Sequence, residues 1–314
     1  MNPARRSVLL GVAGLAIAGC APGTYSGPER RLTVATGEPG GFYVEFGQLL
    51  AGEVRRAAPD LRCAAIETSG SVRNLELIRD GGADLGLVLA DMATSANAGL
   101  APFTAAIPLR VIGRVYENYM QLVVGADSDV STVADLAGRR ISLGATGSGA
   151  AIFGERLLAV TGLAAEVDHR SLADAVAALE AGSIDALLWS GGVPTPALAG
   201  LAERMPIRLV RTDAQLDGLR AAYGPVYERV LVPDGGYGIS GTMATIGVPN
   251  LLVSAPGLPD EVAGAVARVL VRRAPELVPS QALGTQYLDQ RSLIAGGSVP
   301  MHPGAAAAYR ELRG

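Results

Sequence analysis

The alternation of short apolar runs with helical stretches, from residue 31 onward, constrains the fold of this chain more than any other feature. This pattern is typical of α/β proteins with largely parallel strands, because a helix after each buried strand covers the sheet. Hydrophobic residues make up 49% of the sequence and charged residues 18%, which provides a core and argues against disorder. With 314 residues, the chain is long enough for one large or two moderate domains.

The pattern predicts strands followed in most cases by helices. We expect strands at 32–36, 62–67, 85–89, 111–115, 121–125, 140–144, 167–171, 186–189, 207–211 and 251–254. The clearest helices are expected at 42–57, 72–80, 149–160, 172–181 and 260–277.

Two parts of the chain repeat the order strand, glycine-rich turn and helix. The segments LELIRDGGADLGLVLAD and VAALEAGSIDALLWSGG also correspond, since in each a helix ends at glycine and Asp84 or Asp185 opens a buried strand. Glycine suits this place because it adopts the left-handed conformation that ends many helices. Such repetition is ordinary in α/β proteins, but together with the chain length it favours two similar lobes over one large sheet.

The composition argues against several classes of partner. All 26 basic residues are arginine, and 30 acidic residues give a net charge of −4, whereas surfaces that bind nucleic acid need a basic excess. Aromatic residues make up 4%, which argues against a surface that stacks bases or sugars. Two cysteines and two histidines, His169 and His302, leave little for a metal site. We therefore expect no metal, no cofactor and no nucleic acid.

The first twenty residues are predicted to be a leader rather than part of the fold. Arg5 and Arg6 precede an apolar stretch, and the sequence IAGC at 17–20 resembles the cleavage site of a lipoprotein. The stretch has about a dozen residues, fewer than the roughly 20 that span a bilayer. The paired arginines leave both the general and the twin-arginine export routes open.

We therefore predict a signal peptide at 1–19, lipidation of Cys20 and a flexible tether at 20–30. The mature protein would be exported and anchored to the outer face of the cytoplasmic membrane or held in the periplasm. Removal of two leader arginines brings the net charge to −6. Cys63 lies in an apolar run and is expected in the core.

Three strand-to-helix junctions are rich in glycine, serine and threonine, at 36–43, 68–71 and 144–149. A helix start carries unpaired N–H groups and partial positive charge, and glycine lets a ligand approach the backbone. In open α/β sheets such junctions line the crevice at the carboxyl ends of strands. Tight turns and helix caps use the same residues, and Ser71 is a natural N-cap. Three junctions in two lobes nevertheless favour a shared pocket for a small organic anion.

Nucleotide binding and hydrolysis are less well supported. The glycines at 144, 147 and 149 do not follow the G-x-G-x-x-G order, and a chain without lysine has no Walker lysine. Ser148 does not lie in a G-x-S-x-G turn. His169 and His302 are more typical of core or surface histidines than of partners of a nucleophile.

Taken in order, these junctions and further motifs resemble the TAXI family of solute-binding proteins, which serve tripartite ATP-independent periplasmic (TRAP) transporters. Each motif is weak alone, but the ordered set covers nearly the whole mature chain. The motifs are ATG…GGFY at 35–43, TSGSVRNL at 68–75, GADLGLV at 82–88, DLAGRRISLG at 135–144, GSG at 147–149, GSIDA at 182–186, PTP at 194–196 and MHPG at 301–304.

The resemblance implies a two-lobe, periplasmic-binding-protein-like (type II) α/β fold with a ligand cleft between the lobes. Lobe I would comprise 31–118 and 248–314, and lobe II 119–247. The ligand implied is glutamate or a related dicarboxylate. The candidate binding residues are Thr36, Gly40, Gly41, Tyr43, Ser69, Gly70, Ser71 and Asn74 on the first lobe, and Tyr116, Gly147, Ser148, Gly149 and Thr195 at the hinge and second lobe.

Three departures from the family pattern bear on the ligand. Glu38 and Pro39 stand where the family has small residues, Val44 replaces a tyrosine, and LAD at 89–91 replaces Gln-Ser-Asp. A carboxylate at Glu38 would repel a dicarboxylate if it pointed inward. Asp91 is expected to cap the following helix.

The expected function is that of a non-enzymatic receptor. A lipid-anchored monomer would capture a small organic anion and deliver it to TRAP permease subunits, with closure driven by the ligand's higher affinity for the closed state. The alternative is an exported sensor or enzyme with the same fold. An enzyme needs a titratable group with a partner in the cleft, for which the sequence offers Glu38, Asp91 and a few tyrosines.

Overall fold

The computed structural model describes residues 25–313, in which helices flank a sheet of ten strands. The strands are β1 Arg30–Ala35, β2 Leu61–Ile66, β3 Leu85–Leu89, β4 Arg110–Gly125, β5 Arg140–Ser142, β6 Glu166–Asp168, β7 Ala186–Gly191, β8 Ile207–Val210, β9 Glu228–Val232 and β10 Met243–Ser254. The α-helices are α1 Phe42–Ala57, α2 Ser71–Arg79, α3 Ala90–Ala98, α4 Gly149–Thr161, α5 Leu172–Glu180, α6 Pro196–Arg204, α7 Leu216–Tyr223, α8 Asp260–Arg272, α9 Gln290–Leu293 and α10 Pro303–Glu311.

The predicted signal peptide at 1–19 and the predicted lipidation site Cys20 lie outside the described residues. Between residues 25 and 313, no helix has both the length and the apolar character that a membrane crossing requires.

The strand order along the sheet is β2-β1-β3-β10-β4-β7-β5-β6, with β8 paired to β4 and β9 paired to β10. We call β1–β3 with helices α1–α3 the first half, and β5–β7 with helices α4–α6 the second half. The long strands β4 and β10 run side by side between the halves. β10 joins the first half through β3, and β4 joins the second half through β7.

The expectation of largely parallel strands is wrong. Strands β1–β3 and β5–β7 pair in parallel within their halves, but β10 pairs antiparallel with β3, β4 and β9. β4 likewise pairs antiparallel with β7 and β8. The two long strands therefore dominate the middle of the sheet, and both were predicted too short.

The predicted strands at 111–115 and 121–125 are one continuous strand, β4. Its polar centre resembles a turn in sequence, but the polar side chains are buried and have distant partners. The Tyr287 hydroxyl donates to Glu117 Oε2 at 2.5 Å, and Asn118 Nδ2 donates to the Tyr43 hydroxyl at 3.2 Å. β10 similarly begins at Met243, eight residues before the predicted start.

The other predicted elements have nearly the observed bounds. Helix α1 coincides with the prediction, and its side chains at every fourth position from Phe42 to Val54 are buried. The helix predicted at 260–277 ends at Arg272, and a separate 3-10 turn follows at Pro275–Leu277. Proline has no N–H to continue the α-helical pattern, which accounts for the break. Strand β9 was not predicted.

The internal repeat is present in the structure. Asp84 accepts a hydrogen bond from the backbone of β1 at 2.9 Å, and Asp185 accepts one from the backbone of β5 at 2.9 Å. The glycines before them, Gly81 and Gly182, have φ of 73° and 68°, in the left-handed region. Each aspartate thus ties the start of one parallel strand to its neighbour, at equivalent places in the two halves.

The core consists of three clusters of buried apolar side chains. One lies under α1, α8 and α10, a second lies under α5 and α6, and a third runs along β4 and β10 between α3 and α4. Cys63 is buried in the first cluster, as expected, and burial raises the pKa of its thiol to about 12.

Candidate functional site

The three glycine-rich junctions meet at one cleft between the halves. The cleft has about 400 Å³ of space that is partly open to solvent, and a cavity volume of about 30 Å³. The latter figure corresponds to a few water molecules at most. The lining residues are Gly37, Glu38, Gly41, Phe42, Tyr43, Ser69, Gly70, Ser71 and Leu89 from the first half, and Ser148, Gly149, Ala150, Trp189 and Ser190 from the second.

The candidate binding residues divide into two groups. Those that line the cleft are Gly41, Tyr43, Ser69, Gly70, Ser71, Ser148 and Gly149. Those that do not line it are Thr36, Gly40, Asn74, Tyr116, Gly147 and Thr195. Tyr116 and Thr195 in the second group contact Phe42 and Trp189, which do line the cleft.

Asn74 is fully buried behind the start of α2. Its Nδ2 donates to the carbonyls of Thr36 at 2.6 Å and Leu87 at 2.7 Å, and its Oδ1 accepts from Thr68 Oγ1 at 2.6 Å. The side chain therefore fastens the ends of β1 and β3 to α2. It faces back into the fold rather than into the cleft.

Tyr116 and Thr195 support the aromatic walls of the cleft. The ring of Tyr116 is fully buried and packs against Phe42 with a centroid distance of 4.8 Å. Thr195 Oγ1 accepts a hydrogen bond from Trp189 Nε1 at 3.1 Å, which fixes the indole.

The remaining three candidates shape the junction backbone. Thr36 donates its hydroxyl to the Ile66 carbonyl at 2.6 Å and thereby joins β1 to β2. Gly40 and Gly147 have φ of 76° and 75°, which glycine adopts without strain. The Gly40 carbonyl accepts from the Ala197 N–H at 3.2 Å, a contact between the halves.

Two helix starts from opposite halves face the cleft. Ser148 is the N-cap of α4, with its Oγ accepting from the Ala151 N–H at 3.0 Å. The N-cap of α2 is Gly70, with φ of 117°, rather than Ser71. The Ser71 Oγ is turned toward β3 and accepts from the Leu89 N–H at 3.1 Å, which explains why it does not cap its own helix.

Tyr43 places a hydroxyl beside Ser71. The two oxygens are 3.4 Å apart, and the Tyr43 oxygen accepts from Asn118 Nδ2 at 3.2 Å. Burial raises the pKa of the Tyr43 phenol above its usual value. The phenol therefore stays protonated at neutral pH and adds a hydrogen-bond donor to the helix starts.

Glu38 does lie in the cleft, with 8% of its surface exposed. Its Oε2 accepts from the Leu172 N–H at 2.6 Å, at the start of α5 in the second half. Its Oε1 is buried without a hydrogen-bond partner among the described residues. Burial raises the pKa of this carboxyl, although the Leu172 N–H lowers it in part.

The walls of the cleft approach each other closely. A Cβ added to Gly149 would lie 2.4 Å from Leu89 Cδ1, and one added to Gly41 would lie 3.1 Å from the Trp189 ring. Both contacts join the first half to the second. Glycine at these two places allows the halves to approach as closely as they do.

Asp91 lies outside the cleft lining and is not an N-cap. It occupies the first turn of α3, whose N-cap is Leu89. Its Oδ2 lies 2.9 Å from Arg156 Nη1 of α4 and accepts from the Tyr227 hydroxyl at 2.9 Å. The carboxylate thus forms a buried ion pair between the halves.

Sequence reasoning missed several lining residues. Trp189 ends the strand predicted at 186–189 and Ser190 follows it, so the rule that ligands bind at carboxyl ends of strands could have found both. Ser190 Oγ is buried and has no hydrogen-bond partner among the described residues. The others missed are Gly37, Phe42 and Ala150, together with Glu38 and Leu89, which were noted only as departures from the family pattern.

The residues between 25 and 313 hold no group of three or more His, Cys, Asp or Glu side chains suited to a metal ion. Both histidines lie outside the cleft lining. His302 is the N-cap of α10, with Nδ1 accepting from the Gly304 N–H at 3.2 Å. Its Nε2 lies 2.9 Å from the Leu258 carbonyl, and burial lowers the pKa of the ring.

Residues 34–312 match the sequence model of a family described as NMT1-like. Among solved structures, a protein from Bordetella bronchiseptica RB50 is similar at 16% identity and a TM-score of 0.57, over 90% of this chain and 98% of that one. A mutant of ArgBP from T. maritima is similar at 14% identity and a TM-score of 0.50, over 79% of this chain and 91% of that one. The periplasmic aliphatic sulphonate binding protein SsuA from Escherichia coli is similar at 17% identity and a TM-score of 0.46, over 90% of this chain and 79% of that one.

At such identities the similarity shows the fold. The chain has the mixed α/β fold of periplasmic substrate-binding proteins, with a central sheet and flanking helices.

Proposed function

Because the chain belongs to the NMT1-like family, we propose that it is a solute-binding receptor that captures a small organic anion between its halves. One observation carries the proposal: the starts of α2 and α4, from opposite halves, face one cleft. The first N–H groups of a helix have no acceptor within the helix and carry partial positive charge. A carboxylate between the two starts would accept hydrogen bonds from both halves at once.

Such a bridging ligand accounts for closure. The ligand binds best where both halves contact it, so its differential affinity shifts the population toward the closed form. We propose that 31–118 with 248–314 form one lobe, that 119–247 form the other, and that β4 and β10 form the hinge. These two strands are the only ones in the described part of the chain that connect the halves through the sheet.

The ordered motifs support a finer assignment to the TAXI family and to a TRAP-type permease as the recipient of the ligand. Glutamate and related dicarboxylates are then the first ligands to test. The leader sequence supports anchoring through a lipid on Cys20, at the outer face of the cytoplasmic membrane or in the periplasm. We propose a monomeric, non-enzymatic receptor. Its closed form presents the surface that the permease recognises.

A thermal-shift screen of the purified protein tests the binding function. Amino acids, dicarboxylates, keto acids and sugars are added in separate wells. A ligand at about 100 times its dissociation constant should stabilise the protein by roughly 2.7 kcal/mol. A response to sugars with none to carboxylates would contradict the proposal.

Ser71→Ala locates the site. The variant should lose most of the ligand-induced shift, because Ser71 lies at the start of α2 beside Tyr43. Ser95→Ala is the matched control, since Ser95 is also buried but lies next to Arg156, outside the cleft. An equal ligand response in Ser71→Ala and wild type would mean that the binding site lies elsewhere.

A further inference from the structure

Glu38 gives the cleft a charge that a site for dianions should not have. In the described part of the chain it is the one acidic side chain that lines the cleft, and no arginine or histidine there does so. The donors available to an anion are therefore hydroxyls and N–H groups. These neutral donors compensate the negative charge of one carboxylate far better than that of two. A second carboxylate would face Glu38 without a cation between them.

The hydrogen bonding of Glu38 is incomplete. The Leu172 N–H satisfies Oε2, whereas Oε1 is buried without a partner among the described residues, with the residue 92% removed from solvent. A second unpartnered atom, Ser190 Oγ, belongs to the same lining. A buried polar atom without a partner is costly because its desolvation is uncompensated. Two such atoms in one cleft indicate that a hydrogen-bond donor is missing from it.

We propose that Glu38 is the specificity-determining residue of this cleft and that it selects a small zwitterion, whose carboxylate binds at the starts of α2 and α4 and whose ammonium group binds at Glu38. This inference rests on the proposed receptor function and narrows its ligand class. An ammonium group supplies donors for Glu38 Oε1 and Ser190 Oγ, and its charge cancels that of the carboxylate. Dicarboxylates, which the TAXI resemblance implies, should bind more weakly than such a zwitterion, because Glu38 repels their second charge.

The narrowness of the cleft favours a small ligand. The cavity volume is only about 30 Å³, and the close approach of Leu89 to Gly149 leaves little room for the halves to come closer. A ligand must therefore fit this small space, or hold the halves slightly further apart. Both conditions suit compounds with a handful of heavy atoms.

Matched ligand pairs test the proposal by isothermal titration of the purified protein. L-alanine is compared with propionate, and 4-aminobutyrate with butyrate, since each pair differs only in the ammonium group. Succinate serves as the dicarboxylate. At least one zwitterion should bind about tenfold or more tightly than its partner, because a hydrogen bond to a charged group has that effect on affinity. Succinate should bind more weakly than that zwitterion.

Glu38→Gln assigns the preference to this residue. Glutamine keeps an acceptor for the Leu172 N–H but loses the charge, so the zwitterion should lose most of its advantage while the simple acid binds as well as before or better. Glu117→Gln is the control, because Glu117 is also buried with an unpartnered oxygen but lies outside the cleft. This control should keep the wild-type preference.

The outcomes separate this inference from the function on which it rests. If propionate, butyrate or succinate binds at least as tightly as the zwitterions, or if Glu38→Gln keeps the preference, the inference is wrong and the receptor function stands. If no carboxylate of any class binds, both are wrong.

Discussion

Two buried carboxylates join the halves of this molecule, and they differ in how fully the chain satisfies them. Asp91 has a guanidinium and a hydroxyl on one oxygen, from Arg156 and Tyr227, and the Met92 N–H at 2.8 Å on the other. Glu38 has a single N–H on one oxygen and, among residues 25–313, no partner on the other. Both side chains are more than nine-tenths buried, so exposure to water does not explain the difference.

The difference separates a structural contact from an incomplete one. A buried charge with its partners in place holds two elements together, and removing one partner leaves the other uncompensated. A carboxylate that lines a cleft and has one free oxygen can accept a further hydrogen bond from a ligand that enters there. Asp91 therefore fixes α3 to α4, whereas Glu38 makes a contact between the halves that a ligand would complete.

The largest expected loss of stability follows from removing the ion pair between Asp91 and Arg156. Asp91→Ala should lower the free energy of unfolding by about 3–5 kcal/mol, because Arg156 stays buried without its counter-charge. Urea denaturation measures this loss. In the double variant with Arg156→Met the loss should be clearly smaller than the sum of the single losses. Additive losses would show that the ion pair does not couple the halves.

The next largest expected effect is the pH dependence of stability that Glu117, a third buried carboxylate, causes. Burial raises the pKa of its carboxyl from 4.5 to about 7 in the folded protein. Between these values the folded protein holds a proton that the unfolded chain has released, so stability falls as the pH rises from about 4.5 to about 7. The total loss is about 3 kcal/mol at roughly 1.4 kcal/mol per pH unit.

Glu117→Gln should remove this part of the pH dependence, which is measured by urea denaturation at several pH values. An unchanged slope between pH 4.5 and 7 in the variant would show that other groups cause it.

Gly149→Val should abolish the response to ligand. Even a Cβ at this position would lie 2.4 Å from Leu89, so the branched side chain holds the halves apart at the cleft. The ligand-induced stabilisation, up to about 2.7 kcal/mol in the wild type, should disappear. Gly52→Val is the control, since a Cβ there meets nothing within 4 Å. A normal thermal shift in Gly149→Val would contradict binding by closure at this cleft.

The smallest expected effect on stability is that of Glu38→Gln without ligand. The variant keeps the hydrogen bond from Leu172 and removes a buried charge, so stability at neutral pH should change by no more than about 1 kcal/mol. Because the pKa of Glu38 is raised in the folded state, the change should be stabilising above pH 4.5 and should vanish at lower pH. A loss as large as that of Asp91→Ala would show that Glu38 is structural.

The sequence predicted the parts of the fold that depend on local pattern. The bounds of α1, the strand β3 and the paired roles of Asp84 and Asp185 follow from apolar spacing and helix endings. Strand β4 could not be predicted as one element. The polar residues at its centre are buried against Tyr287 and Tyr43, partners that only the tertiary structure brings together.

The candidate site likewise contains residues that the local pattern predicts and residues whose place depends on the tertiary structure. Residues at the helix starts, such as Ser148 and Gly149, line the cleft because the junction geometry itself places them there. Asn74 and Thr195 came from motif positions, which do not distinguish a residue that lines a cleft from one that supports it. The orientation of Glu38 depends on the Leu172 N–H, 134 residues away, and no local pattern encodes it.

Hydrogen–deuterium exchange with L-alanine, and in parallel with succinate, tests the central claim that a carboxylate binds at the starts of α2 and α4. Whichever of the two raises the unfolding temperature should slow exchange in peptides that cover 70–73 and 148–151. Peptides at the start of α8, which lies away from the cleft, should not change. Slower exchange confined to the cavity beside Asp91 and Glu228, with no change at the two helix starts, would contradict the account.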